Sequence, residues 1–158
     1  MTMGVGELES RRETAKKIVN SMGKRNIEGF YCQDKEEALK LVLGMVPDGA
    51  SAAWGGSVTL DQIGLFDRLR EKNCRMLDLK EGGKDPAETD RIYRESVGAD
   101  YFFMSTNGIT ESGELVNIDG AGTRLGRMIH GPKHVVIIAG VNKISKDIQS
   151  AIDRIQNE

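Results

Sequence analysis

Apolar residues along the chain alternate between helical spacing and short uninterrupted runs. Leu8, Ala15, Ile18, Val19 and Met22 recur at helical intervals and predict an amphipathic helix over residues 7–25. Ile27 to Cys32 is a short apolar run with two aromatics and predicts a strand. Asp34 and Glu37 have the spacing of a capping box, and Ala38, Leu39, Val42, Leu43 and Val46 give the next helix a buried stripe, ended by Pro47. Residues 50–54 predict a small strand and Gly55, Gly56 and Ser57 a loop. Thr59 and Gln62 form a second capping pair, heading a helix with Leu60, Ile63, Phe66 and Leu69 on one side. A strand over 74–79 and a polar loop over 80–84 follow, then a helix with Asp85 as N-cap, Pro86 at its first position and an end near Ser96. Residues 101–105 read as a strand buried on both faces. Two short extended pieces follow, around Ile109-Thr110 and over 115–118, then a helix over 121–130. The most hydrophobic strand is expected over 135–139, and a last helix over 147–156 turns Ile148, Ala151, Ile152 and Ile155 inward.

This alternation of strands and helices predicts an open α/β domain with a mostly parallel sheet. Such sheets bind ligands beyond the carboxyl ends of their strands, which makes residues 55–57, 106–110, 119–123 and 140–143 the candidate site loops. The 158 residues are expected to form one domain, with an N-terminal helix to residue 25 and a core over about 26–156.

Composition narrows the function classes. With 22 basic and 24 acidic side chains the net charge is -2, which argues against a generic nucleic-acid binder. Charged residues at 29% beside 39% hydrophobic suit a packed core rather than a disordered tail. No apolar run approaches the ~20 residues that span a bilayer, and the first residues carry no apolar core of a secretory leader. A cytoplasmic chain without a membrane association is expected. Cys32 and Cys74 lie in apolar stretches and read as reduced core thiols. Neither has a metal-ligand neighbour, and Pro132 breaks the helical spacing of His130 and His134, so no metal site and no cofactor are expected. The 19 glycines show no fixed period, which excludes collagen and leaves a local need for backbone freedom.

Three segments could carry chemistry. Gly55-Gly56-Ser57, between a strand and a helix start, would let backbone N–H groups approach an anion, although Asp61 opposes one and a plain turn capped by Thr59 explains the same residues. Gly120-Ala121-Gly122-Thr123-Arg124-Leu125-Gly126 approximates a dinucleotide fingerprint, but its third glycine comes one residue late and no acidic partner follows. A glycine turn opening a helix remains, with Arg124 available for an anionic ligand. Asn107-Gly108 has the composition of a hairpin turn, and Asn117 and Asp119 have that of turn and cap residues. Their density between two apolar strands marks the whole polar stretch as a candidate functional loop. Glu111, Glu114 and Asp119 are close in sequence, and no nucleophile–base pair is supported by spacing.

The blocks AWGGSVTLDQIGLFDRLR and STNGITESGELVNIDGAGTRLGRMIHGPKHVVIIAGVNKI closely resemble the lactate-utilization (LUD-domain) family over roughly residues 50–155. That family's usual pattern has Asn-Ala at Asn107-Gly108 and Asn-Arg at Thr123-Arg124, so an amide contact at position 123 is not carried over. Many of its members continue into a cysteine-containing tail, absent from these residues, and contacts made by that tail are not carried over either. The resemblance implies an open Rossmann-like sheet with helices on both faces and an inserted β-hairpin, as in the sugar-phosphate isomerase and CoA-transferase-like class. It also implies a part in lactate oxidation beside iron–sulfur subunits. A more distant similarity to methylthioribose-phosphate isomerases aligns their proton-transferring Asp with Asn107, whose amide cannot transfer a proton as a carboxylate does.

The leading expectation is a protein that binds a small anionic or phosphorylated metabolite through Gly55, Gly56, Ser57, Thr59, Asn107, Thr110, Asn117, Asp119, Gly120, Gly122 and Arg124. The rival is an isomerase or an acyl or CoA transferase using Asp119 or Glu111, and a third reading is a subunit that only docks partner proteins. Expected partners are the metabolite, iron–sulfur subunits and a second copy of the chain.

Overall fold

The structure, a computed structural model, describes residues 5–157. In chain order its elements are α1 (Val5–Gly23), α2 (Lys35–Met45), β1 (Ser51–Trp54), α3 (Val58–Gln62), α4 (Leu65–Glu71), β2 (Arg75–Leu77), α5 (Pro86–Val97), β3 (Tyr101–Met104), β4 (Gly108–Thr110), β5 (Leu115–Val116), α6 (Thr123–Ile129), β6 (His134–Ile137), β7 (Ile144–Ser145) and α7 (Ile148–Asn157). They form two compact units. A sheet unit comprises residues 35–105 and 119–138, and a hairpin unit comprises the described residues up to Asp34, residues 106–118 and those from Ala139 onward.

The sheet unit is built on four parallel strands in the order β2-β1-β3-β6. Side chains alternate across this sheet, which gives it two apolar faces. On one, Ala52, Tyr101 and Phe103 meet Val42 of α2 and Val46 just beyond its end, Leu60 of α3, and Leu65 and Leu69 of α4. On the other, Ala53, Phe102 and Met104 meet Ile92 of α5 and Met128 of α6. Helices therefore flank both faces, as a parallel sheet requires. All four residues of β3 are buried because it lies inside the sheet. Strand β6, expected over 135–139 as the most hydrophobic, is the edge strand His134–Ile137, and Val135 remains 36% exposed for want of a second neighbour.

Local rules decide the connections. The Asp85 carboxylate accepts from the Ala87 N–H at 2.9 Å with Pro86 beginning α5, as its capping pattern predicts. The helix expected from Thr59 is instead two, because Gly64 adopts a left-handed conformation (φ 69°) between α3 and α4. The N-cap of α3 is Ser57, two residues earlier than expected, and Thr59 lies inside the first turn. The polar segment read as a loop over 80–84 begins as a 3-10 turn, Leu79–Gly82, capped by Asp78. Cys74 is in the core as expected, whereas Cys32 is only half-buried.

In the hairpin unit, β4 pairs antiparallel with β5 and parallel with β7. The inserted hairpin is thus present, but Asn107-Gly108 does not turn it. The turn lies at its other end, where the Gly113 N–H donates to the Thr110 carbonyl and the Thr110 N–H to the Glu114 carbonyl, both at 2.9 Å. Residues 27–32 form no strand among the described residues; Ile27, Tyr31 and Cys32 are half-buried and Phe30 is exposed. Strand β7 was not expected, since two residues leave no period to read. On α7, Ala151 is fully buried while Ile148, expected inward, is 50% exposed at the first turn. No described helix is long and apolar enough to cross a membrane.

Candidate functional site

The candidate residues fall into two sets, one in each unit. In the sheet unit the loop after β1 meets the segment that opens α6. The Gly55 N–H donates to the Phe103 carbonyl at 3.0 Å, which continues the β1–β3 ladder by one residue. The aliphatic stem of Arg124 then lies directly on Gly55: a Cβ there would stand 3.0 Å from both Cγ and Cδ of Arg124. Only glycine allows that approach without displacing the arginine. Gly56 is exposed and Ser57 half-buried, its Oγ accepting from the Leu60 N–H at 3.4 Å. These residues lie at the carboxyl end of β1, where an open parallel sheet presents its ligand sites.

Asp119 organises the second half of this set. Its Oδ2 accepts from the N–H groups of Arg124 at 2.8 Å and Leu125 at 3.0 Å, and Oδ1 from that of Ala121 at 3.3 Å. The backbone bond from Leu125, with those of Arg124 and Ala121 and the Arg124 charge, holds its carboxyl below the usual aspartate range. Asp119 thereby supplies the side-chain cap that Gly122, the left-handed N-cap residue (φ 72°), cannot. The N–H groups that open α6 are already matched to an internal anion, so this turn offers a ligand little beyond the Arg124 side chain. Gly120 is exposed and has open space where a side chain would stand.

In the hairpin unit the β4–β5 register, continued one step, sets Asn107 opposite Asn117 at the open end of the hairpin. Asn107 Oδ1 accepts from the Ile118 N–H at 3.2 Å, and its carbonyl accepts from Nη2 of Arg154. Thr110 is fully buried, its hydroxyl bonded to the Glu114 carboxylate, which also pairs with Arg25 at 2.5 Å. The Thr110 bond is the main cause holding the Glu114 carboxyl below its ordinary value. Thr110 thus ties the hairpin tip, and Glu111 projects into solvent beside it.

Some features play no part in either set. A cleft of about 300 Å³ opens beside Trp54, Phe66 and Asp78, but no candidate residue lines it. His130 ends α6 and His134 begins β6, stacked on Tyr101 with centroids 4.7 Å apart. No group of metal-binding side chains occurs among the described residues. The sequence did not disclose Arg127, a charged residue on a short helix that the structure buries to 2% exposure against Phe102 and Tyr93. It would have stood out only as a cation placed on the apolar side of a helix, three residues after Arg124.

In a comparison with family models, that of the LUD domain matches residues 15–158. A comparison with functionally curated proteins found no match.

Proposed function

We propose, from the premise that this chain belongs to the LUD-domain family and so to lactate utilization, that it binds a small anionic or phosphorylated metabolite at the carboxyl end of β1. The observation that carries this reading is the seating of Arg124 on Gly55, beside the backbone of Gly56 and Ser57. A guanidinium is a fixed, planar cation that recognises carboxylate and phosphate in the same way, by paired N–H donors. The protein would assist lactate oxidation in company with iron–sulfur subunits, holding a metabolite rather than transforming it. Asp119 supports binding over proton transfer, since a carboxylate already accepting three N–H groups is a weak base at neutral pH.

A thermal-shift series with lactate, inorganic phosphate, a sugar phosphate and a CoA ester tests this. A bound anion raises the melting temperature with concentration, by about 2.7 kcal/mol of stabilisation at a hundred times Kd. Arg124→Ala removes most of that response. Absence of a response to every anion would overturn the reading.

A further inference from the structure

The side chain of Arg127 is 2% exposed, yet no carboxylate pairs with it directly among the described residues. Its guanidinium lies 4.5 Å from the ring centre of Phe102 and 5.3 Å from that of Tyr93. Nη1 donates to the Ser96 hydroxyl at 3.2 Å and Nε to the Thr123 carbonyl at 3.0 Å. A buried cation without a countercharge is costly, and a methionine or leucine would fill the same volume at less cost. The Thr123 carbonyl resolves the difficulty. It belongs to the same peptide group as the Arg124 N–H, which donates to Asp119 Oδ2 at 2.8 Å. A cation therefore sits on the oxygen of that peptide and an anion on its N–H, each strengthening the hydrogen bond of the other.

We propose that Arg127 and Asp119 form an ion pair relayed through the Thr123–Arg124 peptide, and that this relay makes Arg127 the positioning residue for Arg124 in the candidate anion site. The charges facing Asp119 are those of Arg124 and Arg127, both on α6; Tyr93 of α5 faces Arg127 from the other side. The consequence for a ligand rests on the anion-binding reading above; the relay itself does not.

The test is an NMR titration of the Arg124 backbone amide, which reports the ionisation of Asp119 directly. In the unmodified protein this amide titrates with a midpoint below the usual aspartate range. Arg127→Gln keeps an N–H donor but removes the charge, and raises the midpoint, weakening the acidity of Asp119 by roughly threefold to tenfold for charges relayed at this separation. Arg127→Lys restores most of the original midpoint. An unchanged midpoint in Arg127→Gln overturns the relay. Should that variant not fold, Asp119→Asn reads the same peptide from its other end: exchange of the Arg127 Nε–H with solvent must accelerate, and an unchanged rate overturns the proposal. Inorganic phosphate titrated into the same samples separates the two readings. Weaker binding in Arg127→Gln supports the positioning role, and equal binding overturns that role. If the unmodified protein binds no phosphate, the anion reading loses support, while the amide titration still decides the relay.

Discussion

Removing the Asp119 carboxylate should destabilise the chain by a definite and pH-dependent amount. In Asp119→Ala the N–H groups of Arg124 and Leu125 lose acceptors at 2.8 and 3.0 Å, and that of Ala121 loses a longer one at 3.3 Å. A side-chain cap is worth about 1 kcal/mol and bonds to a charged acceptor about 1.5–3 kcal/mol. Asp119 is only half-buried, so solvent screening holds the sum to the lower part of that span, about 1–2 kcal/mol. For a chain of this length that lowers Tm by roughly 2–8 °C. The sign of the pH dependence follows from linkage: the folded carboxyl lies below its ordinary value, so its contribution is complete above the unfolded value, about pH 4, and is lost as pH falls through the folded one. Urea unfolding followed by the fluorescence of Trp54, the only tryptophan in the sequence, measures both quantities. Equal stability of the two proteins at neutral pH, or a difference that widens on acidification, would refute the reasoning.

Other substitutions test neighbouring parts of the account. Gly131→Ala places a Cβ against the Val97 carbonyl oxygen at φ 124°, and should cost more than about 2 kcal/mol in urea unfolding. Ser57→Ala should cost at most about 0.5 kcal/mol, because the cap bond it removes is long at 3.4 Å; a much larger loss would mean that Ser57 has a further role. Gly55→Ala must push the Arg124 stem aside by several tenths of an ångström, so anion affinity should fall severalfold in calorimetric titration while Tm changes by only a few degrees.

The sheet unit was legible wherever a local rule and a burial pattern agreed. Strand β3 reads from an uninterrupted apolar run, and α5 from Asp85 and Pro86, because each pattern has a single physical solution. Elsewhere two local rules competed. Ser57 and Thr59 are both good cap residues, and the left-handed Gly64 that splits α3 from α4 is invisible to an apolar stripe running through both. Residues 27–32 are apolar enough for a strand, but a strand also needs a neighbour, which composition does not supply. At the candidate site, the Gly55 loop and the cap function of Asp119 could be read from residue types. The seating of Arg124 on Gly55 and the burial of Arg127 could not, since both depend on segments about seventy residues apart in the chain or on a charged side chain turned inward.

The central claim is that a small anion binds between the Gly55 loop and Arg124. Backbone-amide shift mapping tests it most directly, with lactate and with a sugar phosphate titrated into the labelled protein at low salt. The account predicts that the amides of Gly56, Ser57, Val58 and Arg124 move together along one saturating curve, and that Arg124→Ala abolishes the curve. Shifts confined to residues around the Trp54–Phe66 cleft, or none with either ligand, would contradict it.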